Sequence, residues 1–293
     1  MRVTERLKTG AKVFSFEFYP PKTEDDARRL FEAARELKTL GPDFVSVTNS
    51  STGSVPYRTV ALSGVLKNEL GLETVAHLTC VAHSRADIAE ICLRLKQQGI
   101  KNILALRGDI HNIEGFQARH DYLYASQLTA DLKKTGDFAV GGACYPEKHP
   151  DAPSLESDIA HLKEKVDAGA EYLITQLFFD SASYFRFLEK TAAAGIGVPI
   201  LPGLMPVTGY RQLQKFTQML NVAVPDALRK GIERWADDKD GMFKFSVEYA
   251  SAQALDLLKG GAPGLHLYTL NRSRAAMAIL KNVKGAEKAP AGR

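Results

Sequence analysis

The chain has 293 residues, 45% hydrophobic and 25% charged, which is ordinary globular usage, and its net charge of +4 comes from lysines and arginines scattered among acids, arguing for solvated helix faces and against a nucleic-acid surface. No apolar run approaches the roughly 20 residues of a membrane span, and the start Met1-Arg-Val-Thr-Glu-Arg6 lacks a signal-peptide core. Three cysteines (Cys80, Cys92 and Cys144) without CxxC spacing read as reduced thiols of a cytoplasmic protein, not as a disulfide framework.

The first strong element is Phe14-Ser-Phe-Glu-Phe-Tyr-Pro-Pro-Lys22, an alternating strand stopped by two prolines. Phe14, Phe16 and Phe18 share one face, and Val13, Ser15 and Glu17 the other. A carboxylate in so aromatic a segment is either a general acid held protonated by desolvation or a strand-end glutamate paired with a lysine. A helix capped by Thr23 follows, with Leu30, Phe31, Ala34 and Leu37 on one face, ending before Gly41. Then come a strand at 44–48, a helix over about 56–70, a strand at 74–78 and a helix over 84–98 stopped by Gly99. A strand at 102–106 leads into a long loop through Arg107-Gly-Asp109 to about His120, and further strands are expected at 138–143, 172–176, 198–201 and 265–268.

Eight short apolar strands alternating with amphipathic helices predict an α/β fold, a (β/α)8 TIM barrel. Between strands 7 and 8 the stretch from Thr208 to about Lys259 holds two or three helices, too much for one crossover, so an elaborated rim is expected. Residues 1–283 read as one catalytic barrel domain, and the small, polar residues 284–293 as a flexible tail.

Barrel chemistry sits at the C-terminal ends of the strands. Those positions hold Glu17, Thr48, His77 with Thr79, Arg107 with Asp109, Tyr145 with His149, Gln176, and Tyr268 with Arg272, so a polar mouth is expected. The strand-end histidines His77, His149 and His266 are spread singly, unlike a metallohydrolase cluster. No G-x-S-x-G nucleophile elbow, G-x-G-x-x-G or P-loop occurs, and Cys80 and Cys144 read as small packing residues.

The segment around Glu17 joins a longer set of motifs: Asp43-Phe-Val-Ser-Val-Thr48, His77-Leu-Thr-Cys80, Asn102-Ile-Leu-Ala-Leu-Arg-Gly-Asp109, Tyr145-Pro-Glu-Lys-His149, Lys165-Val-Asp-Ala-Gly-Ala170, Ile174-Thr-Gln-Leu-Phe-Phe-Asp180, Pro202-Gly-Leu-Met-Pro206 and Tyr268-Thr-Leu-Asn-Arg272. In this order, over nearly the whole chain, they resemble the short bacterial methylenetetrahydrofolate reductases. The resemblance implies a noncovalent FAD enzyme with a reduced nicotinamide donor, NADH or NADPH. It reduces 5,10-methylenetetrahydrofolate to 5-methyltetrahydrofolate in two successive half-reactions at one site, supplying methyl groups for methionine synthesis.

By the same resemblance Glu17 is the acid that protonates folate N10 and Asp109 tunes flavin and pterin electrostatically. Cofactor contacts carry over to Thr48, Asn49, His77, Arg107, Gly108, Asp109, Ala125, Tyr145, His149, Asp158, His161 and Lys165, with Arg107 and Lys165 suited to pyrophosphate and flavin oxygens. Substrate contacts carry over to Gln176, Tyr184, Phe216 and Arg272, the last suited to the glutamate tail. The bland alternatives are a helix-surface pair for Asp158 and Lys165 and a core role for Phe216. Folate is the small-molecule partner implied, with a homo-oligomer possible.

Two departures stand out. Asn49 occupies a place where the family usually has a tyrosine, and His161 and Glu164 stand where bacterial relatives often carry Asn and Arg. They keep open a weaker flavin site, a flavin-independent reductase with direct hydride transfer and, as the non-enzymatic reading, a folate- or flavin-binding accessory subunit.

Overall fold

The structure, a computed structural model, describes residues 1–49, 56–81, 83–108 and 121–288. Strands β1 (Val13–Phe18), β2 (Phe44–Val47), β3 (Thr74–Thr79), β4 (Asn102–Leu106), β5 (Ala139–Cys144), β6 (Tyr172–Thr175), β7 (Ile200–Leu201), β8 (Gly203–Leu204) and β9 (Gly264–Tyr268) form one sheet. All pairings are parallel, in the order β7-β6-β5-β4-β3-β2-β1-β9-β8.

The nine segments make an eight-stranded barrel whose seventh strand is cut in two by a proline. Pro202 has no N–H to give to a ladder. Ile200 and Leu201 therefore pair with β6 and Gly203 and Leu204 with β9, while the Pro202 carbonyl accepts from the His266 N–H at 2.9 Å. The sheet closes across this residue, and the fold is the expected (β/α)8 barrel.

Side-chain alternation sorts each strand. Phe14, Phe16 and Phe18 of β1 pack outward, in the same core as Leu30, Ala34 and Leu37 of α2 (Glu24–Lys38). The Thr23 hydroxyl accepts from the Asp26 N–H at 3.1 Å, the predicted N-cap. Inward, Val13, Phe44, Val75, Leu104, Tyr172, Ile174 and Leu201 fill the lower barrel. Above them lie Ser15, Ser46, His77 and His266, all buried, and then the mouth.

Helix α1 (Val3–Leu7) is a five-residue element without sequence periodicity. It lies under the barrel, with Val3 in the lower interior layer and the Val3 N–H donating to Asn102 Oδ1 at 2.8 Å.

Around the barrel run α3 (Pro56–Asn68), α4 (Arg85–Gln97), α5 (Ala125–Thr135), α6 (Leu155–Asp167), α7 (Ser181–Ala193) and α11 (Arg274–Lys288). The stretch before β9 holds three helices, α8 (Tyr210–Leu220), α9 (Asp226–Arg234) and α10 (Lys239–Lys259). The last is the crossover helix, packed against α7 and α11. The other two join Leu177, Phe179, Met205 and Val207 in a separate apolar cluster over the barrel mouth.

Among the described residues no helix is long and apolar enough to cross a membrane.

Candidate active site

The C-terminal ends of the strands open into a cleft of about 750 Å³. Of the residues expected at the site, Glu17, Thr48, Asn49, His77, Arg107, Gly108, Ala125, Tyr145, His149, Asp158, His161, Lys165, Gln176 and Phe216 line it together. Asp109 lies outside the described residues.

Glu17 forms the floor. Parallel register sets it beside Ser46 on one side and Tyr268 on the other. The phenylalanines of β1 belong to the outer face, so the aromatic ring beside its carboxylate is Tyr268 of β9. Glu17 Oε2 lies 3.7 Å from His77 Nε2 and 3.7 Å from His266 Nε2. No lysine pairs with Glu17 among the described residues. Burial lowers the His77 pKa to about 4, with Glu17 opposing the shift and His266 adding to it, so the imidazole is neutral near pH 7. His77 Nε2 has no hydrogen-bond partner among the described residues.

One wall is built for close approach. Gly108 has φ of +96°, and a Cβ there would lie 3.0 Å from Val81 Cγ2 and 3.3 Å from Thr79 Cβ. Beside it the Arg107 guanidinium pairs with Asp151 at 2.5 Å. Asn49 donates to Thr79 Oγ1 at 3.1 Å, while its shielded Oδ1 has no partner among the described residues.

Lys165 and Asp158 do not act as a helix-surface pair. The Lys165 stem runs along Gly142, where a Cβ would sit 2.6 Å from Lys165 Cδ, and Nζ donates to the Ala143 carbonyl at 2.7 Å. Burial lowers its pKa, with Cys144 and Asp158 opposing. Asp158 accepts from the His149 N–H at 2.8 Å, fixing the loop on which the Tyr145 and His149 rings meet edge to face at 4.6 Å. At the lip His161 stacks on Tyr124 at 5.5 Å and approaches Glu164 Oε2 at 3.4 Å.

On the opposite wall the Gln176 Oε1 accepts from the Leu177 N–H at 2.8 Å, which orients the amide. Phe216, half-buried on α8, lines the cleft with Met219 and Leu220 and also packs on the apolar cluster beneath.

Two expected substrate residues are placed elsewhere. Tyr184 is fully buried, stacked on Phe178, with its hydroxyl donating to the Ile200 carbonyl at 2.8 Å. Arg272 is exposed on the loop after β9 and does not line the cleft. Tyr268, expected at the mouth from its strand-end position, lines it without a role assigned by the resemblance, and Tyr124 and Asp151 line it without having been singled out. Tyr268 had a signal in its strand-end position, whereas Tyr124 and Asp151 sit in loops with no pattern of their own. Cys80 is pushed by burial to about 12 and Cys144 is raised as well, so both are neutral packing thiols.

The methylenetetrahydrofolate reductase family model matches residues 2–284. The 5,10-methylenetetrahydrofolate reductase of Pectobacterium carotovorum is 40% identical over 265 residues, 90% of this chain and 88% of that protein. The Escherichia coli K12 enzyme is 38% identical over the same shares. An Arabidopsis thaliana methylenetetrahydrofolate reductase (NADH) is 35% identical over 97% of this chain but only 51% of its own length. A Clostridium thermocellum protein described as binding two copies of 5-methyl-5,6,7,8-tetrahydrofolic acid shares the fold, with a TM-score of 0.66 at 15% identity over 97% of this chain and 98% of that one. A match that spans β1 through α11 includes every strand contributing to the cleft, and the chain belongs to the methylenetetrahydrofolate reductase family as an enzyme of that kind.

Proposed function

We propose that the chain reduces 5,10-methylenetetrahydrofolate with FAD held in this cleft and a reduced nicotinamide as donor, the nicotinamide and the folate occupying the same face in turn. The observation that carries the reading is a single cleft with one carboxylate at its floor and two cationic side chains, Arg107 and Lys165, on one wall. The residues fit a flavin dinucleotide. Gly108 gives backbone access, Asn49 Oδ1 and His77 Nε2 are shielded polar atoms without partners among the described residues, and the two cations suit a pyrophosphate. Thr48, Ala125, Tyr145, His149, Asp158 and His161 complete the set that would hold it, with Asp109 assigned beside it from the sequence. The chemistry FAD supplies when bound is hydride relay from nicotinamide to folate.

The chain's own contribution is binding, orientation and one proton. Glu17 gives a proton to folate N10, so that the bond from N10 to the methylene carbon breaks and the carbon becomes a hydride acceptor. Gln176 and Phe216 orient the folate against the floor, and the rim helix bearing Phe216 keeps water from the reacting carbon.

A second reading, direct hydride transfer from nicotinamide to folate, is favoured by Glu164 at the cofactor wall and by the engagement of Arg107 with Asp151. The visible spectrum of the purified protein separates the two. A flavin spectrum that bleaches with NADH without oxygen and returns on adding methylenetetrahydrofolate is expected. Turnover by a colourless protein without added FAD would overturn the flavin reading.

A further inference from the structure

Beneath the cleft the barrel carries a polar group that binding and packing leave unexplained. His266 on β9 is completely buried, and its ring is clamped between Phe44, stacked at 6.1 Å, and Tyr268, edge-on at 5.3 Å. Its Nδ1 lies 2.7 Å from Ser15 Oγ, while Nε2 lies 3.5 Å from Ser46 Oγ and 3.7 Å from Glu17 Oε2. An apolar side chain would fill this layer with no polar atoms to satisfy.

Ser15 admits the Nδ1–H tautomer: with its hydroxyl donating to the Leu265 carbonyl, 3.4 Å away, its lone pairs are left to accept from His266 Nδ1–H at 2.7 Å. With the proton on Nδ1, the lone pair of Nε2 points toward Glu17.

We propose that Ser15 and His266 form a positioning pair for the acid, with Nε2 accepting from the protonated Glu17 carboxyl and so holding its proton ready beneath folate N10. The inference rests on the reading of Glu17 as the acid. His266 does not line the cleft and acts through Glu17. The 3.7 Å separation exceeds a formed hydrogen bond, and contacts of this kind tighten in the substrate complex. In each turnover the Glu17 proton gives up its hydrogen bond to Nε2 and passes to N10, one from solvent water replaces it, and no covalent bond to His266 changes. The other groups facing Glu17 are His77 from β3, neutral and buried, Ser46 from β2, and Tyr268 from β9, whose hydroxyl is committed to the Thr175 carbonyl at 2.6 Å.

The test uses the FAD-loaded enzyme and the variants His266→Asn, Ser15→Ala and Glu17→Gln, with the two half-reactions followed separately by rapid mixing from about pH 6 to about pH 9. Removing an acceptor of the carboxyl proton favours the carboxylate. The alkaline limb of folate reduction should therefore move down by about one pH unit in His266→Asn and Ser15→Ala, with a loss of about tenfold above it. Flavin reduction by NADH should stay within about twofold of the unsubstituted enzyme in both. Ser15→Ala removes a single hydroxyl and keeps the test open if His266→Asn fails to fold.

An unmoved limb in Ser15→Ala, or an equal fall of both half-reactions, overturns the pair while leaving the acid assignment intact so long as Glu17→Gln loses folate reduction alone. Retention of folate reduction by Glu17→Gln overturns both. Independently of activity, heteronuclear NMR of histidine-labelled protein should show His266 protonated at Nδ1, and the opposite tautomer would also overturn the pair.

Discussion

Glu17 and His77 face each other across the barrel mouth at 3.7 Å, from β1 and β3, with His77 buried and without a hydrogen bond at Nε2 among the described residues. The neighbour of the carboxylate is thus a neutral imidazole, and burial outweighs the attraction of Glu17 in setting its protonation. Folding must keep this ring uncharged.

That requirement makes stability depend on pH. The folded pKa of His77, about 4, lies below the ordinary 6.5, so between these values the unfolded chain binds more protons. The stability tied to the neutral ring is fully present above pH 6.5 and is lost as the pH falls toward 4, by about 3 kcal/mol in all. Urea unfolding of the unsubstituted protein and His77→Asn over this range checks it. The gap between the two curves should narrow or reverse toward pH 4, whereas parallel curves would mean that the ring charges without penalty.

Barrel closure rests on a second close approach. A Cβ at Gly203 would lie 2.4 Å from the Thr175 carbonyl and 2.7 Å from the Tyr268 hydroxyl, the two groups that hydrogen-bond across this seam. Backbone cannot swing aside as a flexible side chain can. Gly203→Ala should cost about 1–3 kcal/mol and lower Tm by several degrees. Gly197→Ala, where a Cβ meets nothing within 4 Å, is the control and should leave Tm unchanged. Equal melting of the two variants would show that the seam yields.

What the sequence could and could not reveal divides along the same physical line. Period-two alternation in Val13–Phe18 put Glu17 on the face opposite the three phenylalanines, as it is in the barrel, because a strand's two faces are a local property. Which groups meet Glu17 there depends on register and closure with β3 and β9, so the two imidazoles were not legible. The strand expected at 198–201 stopped at Pro202, a local breaker, and Gly203 and Leu204 rejoin the sheet only through pairing with β9. The five-residue α1 is too short to be read from periodicity and is held by Asn102 and the barrel floor. Motif resemblance brought most of the cleft together, but it could not see that the Tyr184 hydroxyl is turned into the core toward the Ile200 carbonyl.

Lys165 gives a test of the cofactor wall. Its stem packs along Gly142 while its ammonium, at the cleft, donates to one backbone carbonyl. Lys165→Met keeps the stem and removes the charge. Loss of one charge-assisted bond to a phosphate or flavin oxygen should raise the FAD dissociation constant about 10- to 100-fold, read by quenching of flavin fluorescence. Because burial already disfavours the ammonium, Tm of the cofactor-free protein should hold or rise. An unchanged dissociation constant would remove Lys165 from the cofactor site.

Glu17→Gln separates proton delivery from hydride delivery. Glutamine is nearly isosteric and keeps a polar group facing His77 and His266, but it carries no acidic proton to give to N10. The bond from N10 to the methylene carbon then has no acid to assist its cleavage, and folate reduction should fall by about 10²–10⁴-fold. On the proposed flavin reading, flavin reduction by NADH takes no proton from this residue and should remain within about threefold. The ratio of the two rates, measured on one preparation by rapid mixing, is the decisive quantity because a general loss of folding or of FAD lowers both. A variant that loses both half-reactions in proportion would make Glu17 a structural residue of the barrel mouth. One that keeps folate reduction would place the acid elsewhere in the cleft.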